Sequence, residues 1–472
     1  MASFYVTSAA ELKDALAQAT GGDTIKLAAG DYGRLQLDSK TDFNTQYSSA
    51  VTITSDDPDD PASFSSMKLG QVSNITFDGI LFDYDFSAGD TKYTRTFEIT
   101  KSDNVTIKNS VFLGDVNADD DLGTAQGLNV SGSSSITLEN NEFSTWHRAL
   151  IVTDSSDLTV TGNDVHSCRS DGMDFAAVQN LLLEGNYIHD FLGTDDPGDH
   201  RDFIQFWTNG TDVPSTDVTI RGNVLDMGDG SWAQSIFIRN EEVDNGRAGA
   251  EMYYQNFLIE DNYISSMHLH GITVGETDGL IVRNNTLIAA EANPDDGANA
   301  ALMDRYGTGS EIRVPTIRIN EVSENVVIEG NEFFGAPDYN RERLYAYDGQ
   351  SDWVVSNNVI TPEDPGPDAP VLDAGPGADG VTVSPDPVSD PDATAGSDAA
   401  SDPATTPDAV TTPDPDTTTD PDATTEDEAS ADPDSSSGSV VATAPVVVQA
   451  PTVSGDYVLD IAALAGTTAL QG

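Results

Sequence analysis

Cysteine occurs once in this 472-residue sequence, at Cys168. A single thiol can build neither an intramolecular disulfide framework nor a cysteine-based metal site. Lysine stops at Lys108, so any cation further along the chain is an arginine. Basic residues are scarce throughout: 21 Lys and Arg stand against 80 Asp and Glu, a formal net charge of −59. Residues 362–472 hold 22 acids and no Lys or Arg, yet the rest of the chain is strongly acidic too. Such a surface argues against nucleic acid and anionic membranes as partners, and suits work in salt or beside Ca2+. No stretch approaches the ~20 apolar residues of a membrane span. The opening M-A-S-F-Y-V-T-S-A-A lacks a basic segment followed by an apolar run. No cleaved signal peptide is therefore expected, and export to the medium or cell surface would need another route.

What is present is a repeat. Residues 8–19 first read as a short amphipathic helix, with Ser8 as N-cap and Glu11 three residues on, a capping box. One small helix before many strands suits the end cap of a solenoid. A unit then recurs: a polar pair, alternating apolar residues, a Gly/Asn corner and two more apolar positions. Copies include N-I-T-F-D-G-I-L-F at 74–82, N-L-L-L-E-G-N-Y-I at 180–188 and N-V-V-I-E-G-N-E-F at 325–333. The corner residues Asn141, Asn163, Asn186, Asn223, Asn262, Asn285, Asn331 and Asn358 are separated by 22, 23, 37, 39, 23, 46 and 27. A basic turn of 22–23 residues with loop insertions is the mark of a parallel β-helix, with neighbouring turns ~4.8 Å apart. The asparagines are expected to be structural, tolerating a left-handed corner and satisfying each other's amides in a stacked column.

A second column of apolar triplets lies between these units: L-I-V at 150–152, M-D-F at 173–175, I-Q-F at 204–206, I-F-I at 236–238 and I-T-V at 272–274 among them. Alternation sends the outer members inward and the middle one to solvent. The outward face then carries Asp174, Gln205, Phe203, Trp207, Phe237 and Arg239, with Arg201 one step earlier. Exposed rings beside carboxylate, amide and guanidinium groups suit a sugar chain. The strand starts Arg148, Asp171, Asp202, Gln234 and His270 should lean inward at a corner, where a buried polar ladder is the competing reading. A further column gives Trp146, Arg169, His200, Trp232 and His268. His200 follows D-D-P-G-D at the expected groove edge, where a neutral imidazole can accept a proton.

The cap helix, G-D-T-I-K-L-A-A-G-D-Y at 22–32 and the Asn-cornered rungs together resemble the pectin-lyase-like superfamily of right-handed parallel β-helix proteins. The resemblance covers about residues 3–361 and implies an all-β, single-stranded solenoid with an N-terminal helical cap. Many members are polysaccharide lyases, uronate epimerases or glycosidases. D-G-M-D at 171–174 is similar to the first half of the D-G-F-D-P-H-E motif of mannuronan C5-epimerases, which implies a catalytic Asp174. Phe175, Ala176 and Ala177 depart from the second half, so the motif histidine is missing and His200 is the candidate substitute.

These readings converge on C5 proton abstraction from a uronate polysaccharide. Arg201 or Arg239 would neutralise the carboxylate, His200 would take the proton, and Asp174 or Asp202 would handle the other proton or the leaving oxygen, with Asp171 a further catalytic candidate. Gln205, Trp207, Phe237, His268 and His270 complete the expected substrate face. Two alternatives stand beside it. One is an inverting glycoside hydrolase using Asp174 and Asp202, ~8 Å apart by strand spacing. The other is a non-catalytic glycan-binding surface module. The residues fix no cofactor. Ca2+ is conceivable in D-V-N-A-D-D-D at 115–121 and D-D-P-G-D at 195–199. A monomer is expected. Residues 362–438, dominated by Asp, Pro, Thr and Ser, read as a disordered acidic linker, and 439–472 as a short apolar segment.

Overall fold

The computed structural model describes residues 1–38, 40–117, 122–194, 199, 201–291, 298–301, 314–320, 322–339, 341–345 and 352–372. Among them the chain coils through three long parallel sheets of 13, 11 and 12 strands. Most turns contribute one strand to each sheet, and each strand inside a sheet pairs with its counterparts one turn earlier and one turn later. The first sheet runs from Ser3–Val6 to Val354–Ser356, the second from Arg34–Leu37 to Leu344–Tyr345, and the third from Gly30–Asp31 to Val359–Thr361. This is the expected all-β parallel β-helix. No helix among the described residues is long and apolar enough to cross a membrane.

Alternation builds the core. In Asp103–Lys108, Val105 and Ile107 are fully buried, and they pair with Ile136 and Leu138 of the next turn. Identical residues stack from turn to turn: the Phe112 ring lies 4.4 Å from Phe82 and 4.5 Å from Phe143, nearly parallel to each. Helix α1 (Ala9–Gln18) closes the N-terminal end with Leu12, Ala15 and Leu16. Ser8 caps it by accepting from the Glu11 amide, while Glu11 reaches back to the amide and hydroxyl of Thr7.

The asparagine column runs unbroken from Asn141 to Asn358, each side-chain amide donating about 2.9–3.0 Å to the next turn's amide oxygen. Each also donates to a core-strand carbonyl, as Asn223 does to Leu183. The left-handed residue is not the ladder asparagine, as expected, but the one before it. Gly162, Gly185 and Gly222 take φ near 60°, as do Asn140, Asp261 and Asn284 at slightly smaller angles. The corner is thus divided between a residue that tolerates positive φ and one whose amide fills the inside of the turn. A second ladder of Ser102, Ser133 and Ser155 hydroxyls, each accepting from the preceding turn's backbone, lines another corner.

Beyond Thr361 the chain does not leave the solenoid at once. Residues 362–372 lie along the outer face of the third sheet, with Ala369 and Leu372 against Val224, Tyr263 and Ile288 and the Tyr263 hydroxyl donating to Pro367. The compact part therefore extends past the boundary expected at 361. Residues 373–472, with most of the expected linker and the apolar segment, lie outside the described residues.

Candidate functional site

The site lies on the outer face of the second sheet. Pairing fixes one outward column, Ile151–Asp174–Gln205–Phe237–Thr273–Arg318, as the triplets indicated. The strand starts behave differently from expectation. Asp202 accepts a hydrogen bond from the Gln205 amide at 2.9 Å, and the His270 ring Nδ1 lies 2.8 Å from the Thr273 hydroxyl. Residues three apart thus share the outer face, so Asp202 and His270 do not turn inward. Phe203, expected outside, is fully buried against Phe191 with Ile204 beside it in the core. The reason is a break in alternation. The ladder pairs Asp202 with Gln234 and Ile204 with Ile236 but omits Phe203 between them, so two consecutive side chains face inward.

The carboxylates form the buried ladder that was the competing reading. Asp171, Asp174 and Asp202 are each 0% exposed. The Arg148 Nε sits 3.0 Å from Asp171 and its Nη1 3.6 Å from Asp174, while the Asp202 amide donates to Asp171 at 3.1 Å. Arg148, a member of the expected column, is the cation that bridges two aspartates. Buried acids so arranged hold the face in one conformation, and removing the guanidinium would strand charge in a dry place. Gln205 and Gln234 are also buried, each with an amide oxygen that has no hydrogen-bond partner among the described residues.

Arg201, expected to receive a substrate carboxylate, is 1% exposed. It donates to the Trp232 and Thr194 carbonyls, and its guanidinium lies 4.3 Å from the Trp232 ring centroid. His268 stacks on the same indole at 4.8 Å, completing an Arg201–Trp232–His268 pile. His200 lies outside the described residues. Its neighbour Asp199 is committed to Arg169 and Thr194, both at 2.7 Å. Burial pushes the Asp199 carboxyl up, but hydrogen bonds from His147, Thr194 and Arg169 hold it well below the usual range.

The accessible chemistry lies one or two turns further on. His268 and His270 are half-buried, with ring centroids 5.2 Å apart. Burial first, and Arg201 second, push the His268 imidazolium down to about 3. Burial, then His268 and Arg318, push His270 well below its ordinary value. Both rings are therefore neutral near pH 7. Phe237 meets His270 edge to face at 5.0 Å, and Trp207 is half-buried on the same face. Arg239 pairs with Asp244 at 3.2 Å. Arg318, half-buried, lies 4.2 Å from the Tyr345 ring centroid and makes no ion pair among the described residues. Neither Thr273 nor Arg318 stands out in the sequence, because their i,i+3 and cross-turn partners are invisible there.

Of the residues considered for Ca2+, Asp115 accepts from the Phe86 and Val116 amides, while 118–121 and 195–198 lie outside the described residues. Among the described residues no group of three or more His, Cys, Asp or Glu is placed to hold a metal ion.

Residues 95–238, which span the aspartate ladder, match the family model described as a right handed beta helix region. The fold is a right-handed parallel β-helix. No curated protein matches the sequence. Solved structures similar to this right-handed β-helix include the Dettilon tailspike protein, at 12% identity and a TM-score of 0.48, covering 75% of this chain and 64% of that one. A mannuronic acid specific polysaccharide family 6 lyase from human gut microbiota is similar at 11% identity and a TM-score of 0.32, covering 77% and 92%. A periplasmic alginate epimerase is similar at 10% identity and a TM-score of 0.37, covering 76% and 83%. The chain thus spans less than two thirds of the tailspike's length.

Proposed function

We propose that this face acts on a uronate-containing polysaccharide by removing the proton α to the sugar carboxylate, outside the cytoplasm. The supporting observation is that the neutral His270 ring, 5.2 Å from the neutral His268 ring, feels the Arg318 guanidinium, which makes no ion pair among the described residues, on a face that also carries the half-buried rings Phe237 and Trp207. In so acidic a protein a guanidinium with no ion pair among the described residues is a natural receiver for a substrate carboxylate. Neutralising that carboxylate makes the adjacent C5–H more acidic. His270 is the base: when its Nδ1 donates to Thr273, Nε2 is left as the acceptor. Loss of the O4 substituent from the resulting carbanion gives an unsaturated sugar; return of a proton to the opposite face gives the C5 epimer. Phe237 and Trp207 stack the sugar C–H faces.

Asp171, Asp174, Asp202 and Arg148 organise this surface from beneath. Their burial speaks against the paired-aspartate hydrolase, whose carboxyls must touch sugar and water. His200 remains a second candidate base on sequence grounds alone. The reading is tested by incubating the protein with polymannuronate, polyguluronate and pectate. Olefinic or epimerised products, lost in His270→Ala, support it. Turnover unchanged in His270→Ala and abolished in His200→Ala would transfer the base to His200.

A further inference from the structure

At the N-terminal end of the solenoid, well away from the groove, a cavity of about 420 Å³ opens between α1, strand Arg34–Leu37 and the chain around Asp38–Phe43. It is large enough for one or two sugar rings. Its walls combine aromatic rings from Tyr32, Phe43 and Phe64 with cations from Lys13, Arg34 and Lys40. The cations are the informative part. The protein carries 59 more acids than bases, and other surface cations have found acid partners: Lys26 with Asp56, Lys68 with Glu98, Arg221 with Glu184. Arg34 and Lys40 are exposed, and neither side chain makes an ion pair or hydrogen bond among the described residues. Asp38, in the cavity wall, accepts from the Gln36 side-chain amide and the Lys40 backbone amide and feels the Lys40 charge without forming an ion pair with it. Lys13 meets only Asp42, at 3.6 Å and with both groups exposed, a pair worth little.

We propose that this cavity is a second binding site, for a short uronate oligosaccharide. Arg34 and Lys40 receive the carboxylates, Gln36 and Thr41 meet hydroxyls, and Phe43, half-buried in the wall, offers a ring to a sugar C–H face. The sugar class rests on the function proposed above, whereas the existence of an anion-receiving cavity does not. Both sites lie on the second sheet, since Arg34–Leu37 is its first strand and Thr316–Ile319 the last but one. A bound chain end here would keep a polysaccharide near the groove and raise its effective concentration there.

The test uses the full chain with methyl-labelled leucines and reads the Leu12, Leu16, Leu35 and Leu37 signals, which line the cavity. Probes are trimannuronate, trigalacturonate, neutral cellotriose, octanoate and inorganic phosphate. The proposal expects saturable shifts with the two uronates only. Arg34→Ala with Lys40→Ala should weaken them at least tenfold without lowering the melting temperature. Arg318→Ala should leave them intact, so failure of the groove reading and failure of this one are separable. Shifts with octanoate or phosphate but not with uronates would overturn the ligand class. Equal uronate shifts in the double variant, or none in the parent protein, would overturn the site.

Discussion

His270 and Thr273, three residues apart on one strand, face the same side of the sheet, with the ring Nδ1 2.8 Å from the hydroxyl. A regular strand forbids this, because residues three apart point to opposite faces. The break in alternation near the strand start makes the contact and holds the imidazole in one orientation. Removing the ring in His270→Ala should lower kcat by about 10²–10⁴-fold, the range for a lost general base. Thr273→Val should lower kcat with little change in KM, and Thr273→Ser should restore it.

The same site sets a pH dependence. Because His270 loses its proton well below the usual imidazole range, the base is ready at all pH values above that depressed point. The acid limb of the kcat/KM profile should therefore fall below pH ~6.5, the ordinary histidine value. An acid limb centred on or above that value would mean that another group is the base.

Arg318→Ala should act mainly through a substrate charge. KM for a uronate polymer should rise at least tenfold, Arg318→Lys should recover only part of the loss, and a neutral glycan should bind both variants alike. Measuring KM against ionic strength checks this, since a carboxylate clamp weakens with salt.

The Asn ladder gives a stability prediction. Asn223, fully buried, accepts from Asn186, donates to Asn262 and donates to the Leu183 carbonyl. Asn223→Ala orphans groups on both sides, at about 1–3 kcal/mol for each one left unsatisfied. Denaturant unfolding should show a loss of that order, and Asn223→Ser a smaller one.

His189, on the third sheet, bonds Asp164 at 2.9 Å and Asp190 at 2.6 Å. Burial alone would lower its pKa, but the two carboxylates raise it to about 9. The folded state therefore holds this proton more tightly than the unfolded chain does. Its stabilisation, on the order of 2 kcal/mol, is complete below pH ~6.5 and is lost as pH rises through about 9. The melting temperatures of the parent protein and His189→Gln should converge above that pH. Parallel curves from pH 6 to 10 would contradict the assignment.

Sequence periodicity carried the solenoid far. The Asn separations, the triplet column and the end-cap helix all reappear as ladders, stacked strands and α1. What it missed follows from two assumptions. Strict alternation placed Phe203 outside and Asp202 inside, and a local bend reverses both. Position near the face does not make a cation available: Arg201 is consumed by Trp232 and Thr194, while Arg318, further along, makes no ion pair among the described residues. Burial and partnership are properties of packing across turns 22–46 residues apart, which a linear pattern does not encode.

The most direct test of the central claim is proton NMR of the protein incubated with alginate, pectate and a neutral glycan panel. The account predicts olefinic signals, or altered uronate ratios without chain breakage, from a uronate polymer only, both lost in the Arg318→Ala and His270→Ala double variant. New reducing ends without unsaturated or epimerised sugar, or no change in any glycan, would contradict it.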